Sequence, residues 1–373
     1  MPRTPHRATR VSTLELLLDL VFVVTVGQLA RTVADDVGWV AIGQAAVLMA
    51  VVWWMYAAFA WLTNQAVPDT TPVRVLLIAA MAAFLVLSLA IPTAFGHGAV
   101  VFGCAYVAVA VIHGGLFIAR GGASGAAAMV RVTPLNVLIG VAMAGAGLAT
   151  GAWRWTLVAV ALGLIVAGAS IGRRTPFDLV AEHFVERHGL LTIIALGESV
   201  VSVTASVHGG ELDAGTVVGG VLVVAVIAAL WWCYFVGDDE RASVAFSAVD
   251  VDRRAGAALR AFYVDHGVML FGLVLLGAGF HLSLEAPFEP PGVPVGLLAG
   301  VGVALFLLAD VDYRRYLGLG TGWWRAAAAA TCAAVGLLGA RLDAAVLVGG
   351  LALVLAVALV AEARTARPEP AEA

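Results

Sequence analysis

Apolar residues in this chain come in blocks about as long as a bilayer is thick. Twelve can be marked: 14–34, 38–62, 73–94, 98–119, 130–150, 154–172, 189–208, 214–237, 257–283, 292–312, 323–340 and 342–363. A hydrocarbon core of roughly 30 Å takes about 20 residues of helix to cross. Lipid offers the backbone no hydrogen bonds, so only helices and closed barrels span it. Barrel strands alternate apolar and polar residues, and these blocks do not. The fold class expected is therefore all-α: a polytopic transmembrane helical bundle of about 12 spans. Composition agrees, with 62% hydrophobic and 12% charged residues against about 25% charged in soluble domains. The mean hydropathy is +0.98. The 42 glycines suit a membrane interior, where small residues let helices approach closely.

Prolines punctuate the blocks. Pro68 and Pro72 part the second from the third, Pro92 closes the third, Pro134 opens the fifth, and EAPFEPPGVP precedes the tenth. The last residues, 364–373, are polar and Pro-containing and are expected to be disordered. The first block holds Glu15 and Asp19 and has no small-residue cleavage site, so it reads as a retained span and not as a signal peptide. All 21 basic residues are arginine. With a cytoplasmic N-terminus and twelve spans, all of them except Arg31, Arg154 and Arg341 fall on the cytoplasmic side. That asymmetry places both termini in the cytoplasm, in a multi-pass protein of the cell membrane.

An ordered set of matches points to an internal duplication. Trp53-Trp54-Met55-Tyr56 answers Trp231-Trp232-Cys233-Tyr234, Asp19 answers Glu198, Arg74 answers Arg260, and Gly147-Leu148 answers Gly336-Leu337. The expected organisation is a first half, 1–175, and a second half, 176–363, of six helices each. The second half would begin with a cytoplasmic amphipathic segment. Six is even, so the repeat would be parallel, as in several transporter folds.

An ionisable residue inside a span costs about 2.5–3.5 kcal/mol on insertion scales and asks for a reason. Glu198 lies midway along its block. Glu15 and Asp19, four apart, share one helix face. Asp265 and His266 are adjacent in the ninth block and point about 100° apart, so at least one should face the interior. These five are the candidate proton or substrate residues, and Arg10 is the expected partner of Glu15. His113 and Asp310 are weaker candidates, and Asp312 reads as an interfacial partner of Arg314 and Arg315. Before the seventh block, Glu182, His183, Glu186 and Arg187 form a candidate cytoplasmic-face group. An amphipathic surface helix is the alternative there. His183 and Glu186 alone are a weak metal pattern.

The three cysteines, Cys104, Cys233 and Cys332, sit in apolar blocks. Their odd number opposes a disulfide framework. No CxxC, HExxH, P-loop, GxSxG or dinucleotide fingerprint occurs, so neither a metal nor a cofactor is expected, and nothing points to nucleic acid.

Two stretches carry a family resemblance. Ser12-Thr13-Leu14-Glu15-Leu16-Leu17-Leu18-Asp19-Leu20-Val21-Phe22-Val23 resembles the N-terminal signature of the bacterial low temperature requirement protein A family. The run from Glu182 to Val200, EHFVERHGLLTIIALGESV, is similar to its second signature. Leu17-Leu18 stands where aromatic residues are common in the family. The resemblance implies a multi-span bacterial inner-membrane protein. It marks Glu15, Asp19, Glu186, Arg187 and Glu198 as motif positions and implies no catalytic role. Three functions compete on the sequence: a proton-linked secondary transporter of a small solute, a membrane-embedded enzyme acting on lipid or a lipid-linked substrate, and a sensor or assembly factor without turnover.

Overall fold

In the computed structural model of the chain, residues 11–65, 68–175, 177, 179–205 and 214–365 are described. Regular structure among them is all helical. The first half gives α1 (Thr13–Asp35), α2 (Trp39–Gln65), α3 (Thr71–Ala90), α4 (Ala99–Arg120), α5 (Gly122–Leu148) and α6 (Gly151–Arg173). The second gives α7 (Ala181–Ala205), α8 (Ala214–Phe235), α9 (Asp239–Ser247), α10 (Val251–Ala258), α11 (His266–Glu285), α12 (Val293–Tyr316), α13 (Trp323–Gly339) and α14 (Ala344–Thr365). A π-helical stretch, Leu259–Asp265, joins α10 to α11. Residues 366–373, which include most of the tail expected to be disordered, lie outside the described residues, and Thr365 still belongs to α14.

Ten segments among the described residues are long and apolar enough to cross a membrane. Two of them are composite: Ala214–Ser247 takes in α8 and α9, and Val251–Glu285 takes in α10 and α11. The ten do not include α7, whose first turns carry Glu182, Glu186 and Arg187, or α13, which has 17 residues. The outward faces of α6 and α14 leave Val160, Val166, Leu353, Val357 and Val360 exposed. A water-soluble protein rarely shows so much apolar surface; facing lipid, the same residues are stable.

The packing follows from chain order at the flanks and departs from it in the middle. Helices α3 to α6 pack each on the next, and so do α11 to α14. The middle is built by α1, α2, α7 and α11, which contact one another across the two halves. Helix α2 is buried along most of its length, including Trp53, Tyr56 and Phe59. Close approach is clearest between α12 and α13. A Cβ on Gly336 would stand 2.5 Å from the Gly296 carbonyl oxygen and 2.9 Å from Gly300 Cα, so only glycine lets the two backbones touch there.

One expectation changes at the seventh block. The amphipathic segment is not a separate surface helix: from Ala181 it forms the first turns of α7, and His183, Arg187 and His188 are buried. Helices α1 and α7 also run in the same direction, since Arg187 meets Glu15 and Asp19 while Glu198 lies against Gly27 further along both. Of the cysteines, Cys233 and Cys332 are buried and Cys104 is exposed.

Candidate functional site

The first turn of α1 is fixed by its own sequence. Ser12 caps the helix, its hydroxyl accepting from Glu15 N at 3.4 Å while Glu15 Oε2 accepts from Ser12 N at 2.8 Å. This capping box orients Glu15 so that Oε1 points into the bundle. There Arg187 Nη1 donates to it at 2.7 Å. One turn on, Asp19 Oδ1 accepts from Arg187 Nη2 at 3.1 Å and from the Tyr56 hydroxyl. Thr63 Oγ1 also accepts from Arg187 Nη1. Helix α2 supplies both hydroxyls, and the Arg187 guanidinium lies over the Tyr56 ring, 5.8 Å from its centroid. His183 Nε2 stands 3.3 Å from Glu15 Oε1. Its Nδ1 is 3.3 Å from Asn64 Nδ2, and Asn64 in turn pairs with the backbone of Val180 in both directions.

Glu15, Asp19, His183 and Arg187 are all at most 2% exposed. Two carboxylates share one guanidinium. Asp19 Oδ2 is buried and makes no hydrogen bond, which costs free energy that a proton or a ligand donor would recover.

A second ion cluster ties α8, α12, α13 and α14. Arg325 Nη1 donates to Asp310 Oδ2 at 2.7 Å and to the Cys233 carbonyl at 2.7 Å, and lies 3.3 Å from Asp238 Oδ2. Its Nε donates to Glu362 Oε2 at 2.9 Å. Arg314 bonds Asp238 and approaches Glu362 at 3.3 Å. With Arg241 at 3.5 Å from Asp238, three acids meet three guanidinium groups and the cluster is neutral. It is a clamp on the helix ends. Asp312 pairs with Arg260 and not with its neighbours Arg314 and Arg315.

His266 and Asp265 are both buried but serve different partners. Asp265 stands 3.7 Å from Arg260. His266 Nδ1 is 2.8 Å from the Ala261 carbonyl, which can only accept, so Nδ1 donates and the neutral ring's Nε2 accepts from the Tyr234 hydroxyl at 2.7 Å. The π turn makes this possible by bringing the carbonyl five residues back within reach. His188 packs edge-on against His266 with ring centroids 5.2 Å apart. Trp53 Nε1 donates to Tyr263 O, also in the π turn, at 2.7 Å. His113 turns to the Ala58 carbonyl at 3.0 Å, away from all of these groups.

Two polar cavities lie on α7, toward its opposite ends. One, of about 470 Å³, is bounded by Glu182, Glu186, Tyr234, Asp238, Glu240 and Tyr313. The other, of about 360 Å³, is bounded by the far half of α1, by Glu198 and Ser199, and by α11. From Leu190 to Glu198 is eight residues, or about 12 Å of helix. The α7 side chains buried in the layer between are Leu191, Thr192, Ala195 and Leu196.

The candidate residues are thus distributed and not gathered. Glu15, Asp19, His183 and Arg187 form one network. Glu182 and Glu186 line the first cavity, and Glu198 lines the second. The expectation that Glu198 answers and faces Asp19 is corrected. A repeat axis along the membrane normal puts equivalent residues at one depth, yet Asp19 lies level with Arg187 and Glu198 lies level with Gly27. His183 turns inward while Glu186 is exposed and accepts from Val11 N at 3.2 Å, so the two do not converge on one ion. Glu15 takes Arg187, with Arg10 outside the described residues. Tyr56, Thr63, Asn64, Asp238 and Glu362 were not singled out by sequence. Asn64, polar at the end of an apolar block, was the one visible signal.

These features define a multi-pass α-helical membrane protein with buried charge networks among its central helices. The chain belongs to the bacterial low temperature requirement A protein (LtrA) family, whose pattern matches residues 10–361. A protein of Rhizobium meliloti (strain 1021) named "Uncharacterized protein RA0937" is 27% identical over 320 residues, covering 82% of this chain and 78% of the relative. No solved structure matches.

Proposed function

We propose that this protein is a proton-linked secondary transporter of a small solute. One observation carries the reading: a single helix, α7, lines a cavity toward each end, with a packed layer between the two and a buried ion network at the level of the first. That is the arrangement alternating access requires, a solute path open in turn to either side of a closed middle. In this reading all twelve long helices cross the inner membrane, with both termini cytoplasmic as the arginine distribution demands. The Glu186 cavity then faces the cytoplasm and the Glu198 cavity faces outward.

The 6+6 repeat belongs to the same proposal and is supported by helix neighbours. The first helix of each half touches the second and third, and the third to sixth pack in series, as α7 with α8 and α11, and α11 to α14, do in the second. Asn136 bonds Trp54 Nε1, while Arg325, at the matching place, bonds the Cys233 carbonyl beside Trp232. The parallel course of α1 and α7 fits, while the Asp19–Glu198 match does not. A lipid enzyme draws no support from His183, which is buried beside Glu15 and Asn64.

The test is flux. Proteoliposomes carrying an interior pH dye should acidify when a transported solute and an inward proton gradient are supplied. Glu198→Gln should insert and melt like the parent yet lose solute-dependent flux. Parental flux from this variant would remove Glu198 from the mechanism, and no solute-dependent flux across a broad solute panel would remove transport.

A further inference from the structure

Among the charged residues lining the outer cavity, Glu198 and Arg31 have opposite signs and form no salt bridge among the described residues. Glu198 is half-buried and makes no hydrogen bond or ion pair among the described residues, and neither does Arg31. Both line the same 360 Å³ space. The Glu198 carboxylate rests against α1 at Gly27, where an added Cβ would stand 2.2 Å from Oε1. Arg31 follows one turn later, about 6 Å along the axis. Arg31 is exposed and acts on Glu198 through space without closing to a salt bridge. The rest of the wall mixes apolar residues, Val26, Ala30, Val201 and Leu273, with Asp35, Ser199 and His281.

We propose that this cavity binds a zwitterionic α-amino acid with a small apolar side chain: its ammonium on Glu198, its carboxylate on Arg31 and its side chain against the apolar residues of the wall. A zwitterion satisfies both protein charges at once and brings no net charge into a partly desolvated site. A simple amine would engage only Glu198, and a simple acid only Arg31. Gly27 is part of the design, because any side chain there would displace the carboxylate. The inference rests on the transport reading for its purpose and names the solute class that reading lacks.

The full-length protein in detergent is titrated with L-alanine, L-valine and L-leucine, following calorimetric heat and melting temperature. Isobutylamine (valine without its carboxylate) and isovalerate (valine without its ammonium) are the controls. At least one amino acid should bind saturably, with both controls about tenfold weaker or more, the loss expected for one charged hydrogen-bonding end. Arg31→Gln should weaken amino-acid binding about tenfold while leaving isobutylamine unchanged, and Glu198→Gln should do the converse with isovalerate. No saturable binding of any of the three, or equal binding of valine and its two controls, overturns the proposal on the parent protein alone, whatever the variants do. Flux separates the two readings. Amino-acid binding without flux removes transport and keeps the site; flux of another solute without amino-acid binding removes the site and keeps transport.

Discussion

Arg187 answers to Glu15 and Asp19 at once, and its burial makes that arrangement costly to disturb. All three side chains are at most 2% exposed, so removing the guanidinium leaves two carboxylates facing each other in a low dielectric. Breaking a buried ion pair by deleting one partner costs about 3–5 kcal/mol. Arg187→Leu should therefore lower the melting temperature sharply in detergent and reduce the folded yield. The triple variant Glu15→Gln, Asp19→Asn, Arg187→Leu should recover much of that loss, because the penalty comes from uncompensated charge. A triple variant no more stable than Arg187→Leu would show that packing, not charge, is what Arg187 supplies. Part of this site could be read beforehand: the i,i+4 spacing of Glu15 and Asp19 put them on one face, and their place in an apolar block demanded a partner. The partner itself was hidden. Arg187 lies 172 residues away, in a polar stretch that hydropathy assigns to the surface, and nearby Arg10 was the local choice.

At the level of helices, periodicity gives existence and face but not register against a distant neighbour. The blocks located the spans because lipid demands a fixed apolar length. The level of α7 against α1 depends on where Arg187 finds its acids, so composition could not show that Glu198 meets Gly27 and misses Asp19. The π stretch Leu259–Asp265 was invisible for the same reason: its pattern reads as helix, and only the Trp53 and His266 bonds to its carbonyls reveal the extra residue in the turn. Glycine contacts are more decisive. At Gly336 an added methyl group already meets backbone on α12, and backbone cannot move aside as a side chain can. Gly336→Val should thus separate α12 from α13 and destabilise the protein by about 1–3 kcal/mol or more, with Gly336→Ala between it and the parent. Thermal melting of the three proteins orders them. A valine variant as stable as the parent would mean that the helices do not approach as closely as the structure has them.

Across the whole molecule the two cavities make a claim about sides. Ser243 lines the cavity beside Glu186, and Val201 lines the one beside Glu198. With the native Cys104, Cys233 and Cys332 replaced by alanine, single cysteines at Ser243 and Val201 become reporters of access. If α1 and α7 both start in the cytoplasm, a membrane-impermeant maleimide added to intact spheroplasts should label Val201→Cys and spare Ser243→Cys. Permeabilised cells should label both. The arginine asymmetry and the parallel course of α1 with α7 lead to this prediction together: the first argues for a cytoplasmic N-terminus, and the second would carry that side to the second half. Labelling of both positions from one side would defeat the twelve-span topology and the two-sided path together. A transporter also requires that access be reciprocal. A solute that raises labelling at Ser243→Cys should lower it at Val201→Cys, because a pathway open at both ends at once would dissipate the proton gradient that drives it.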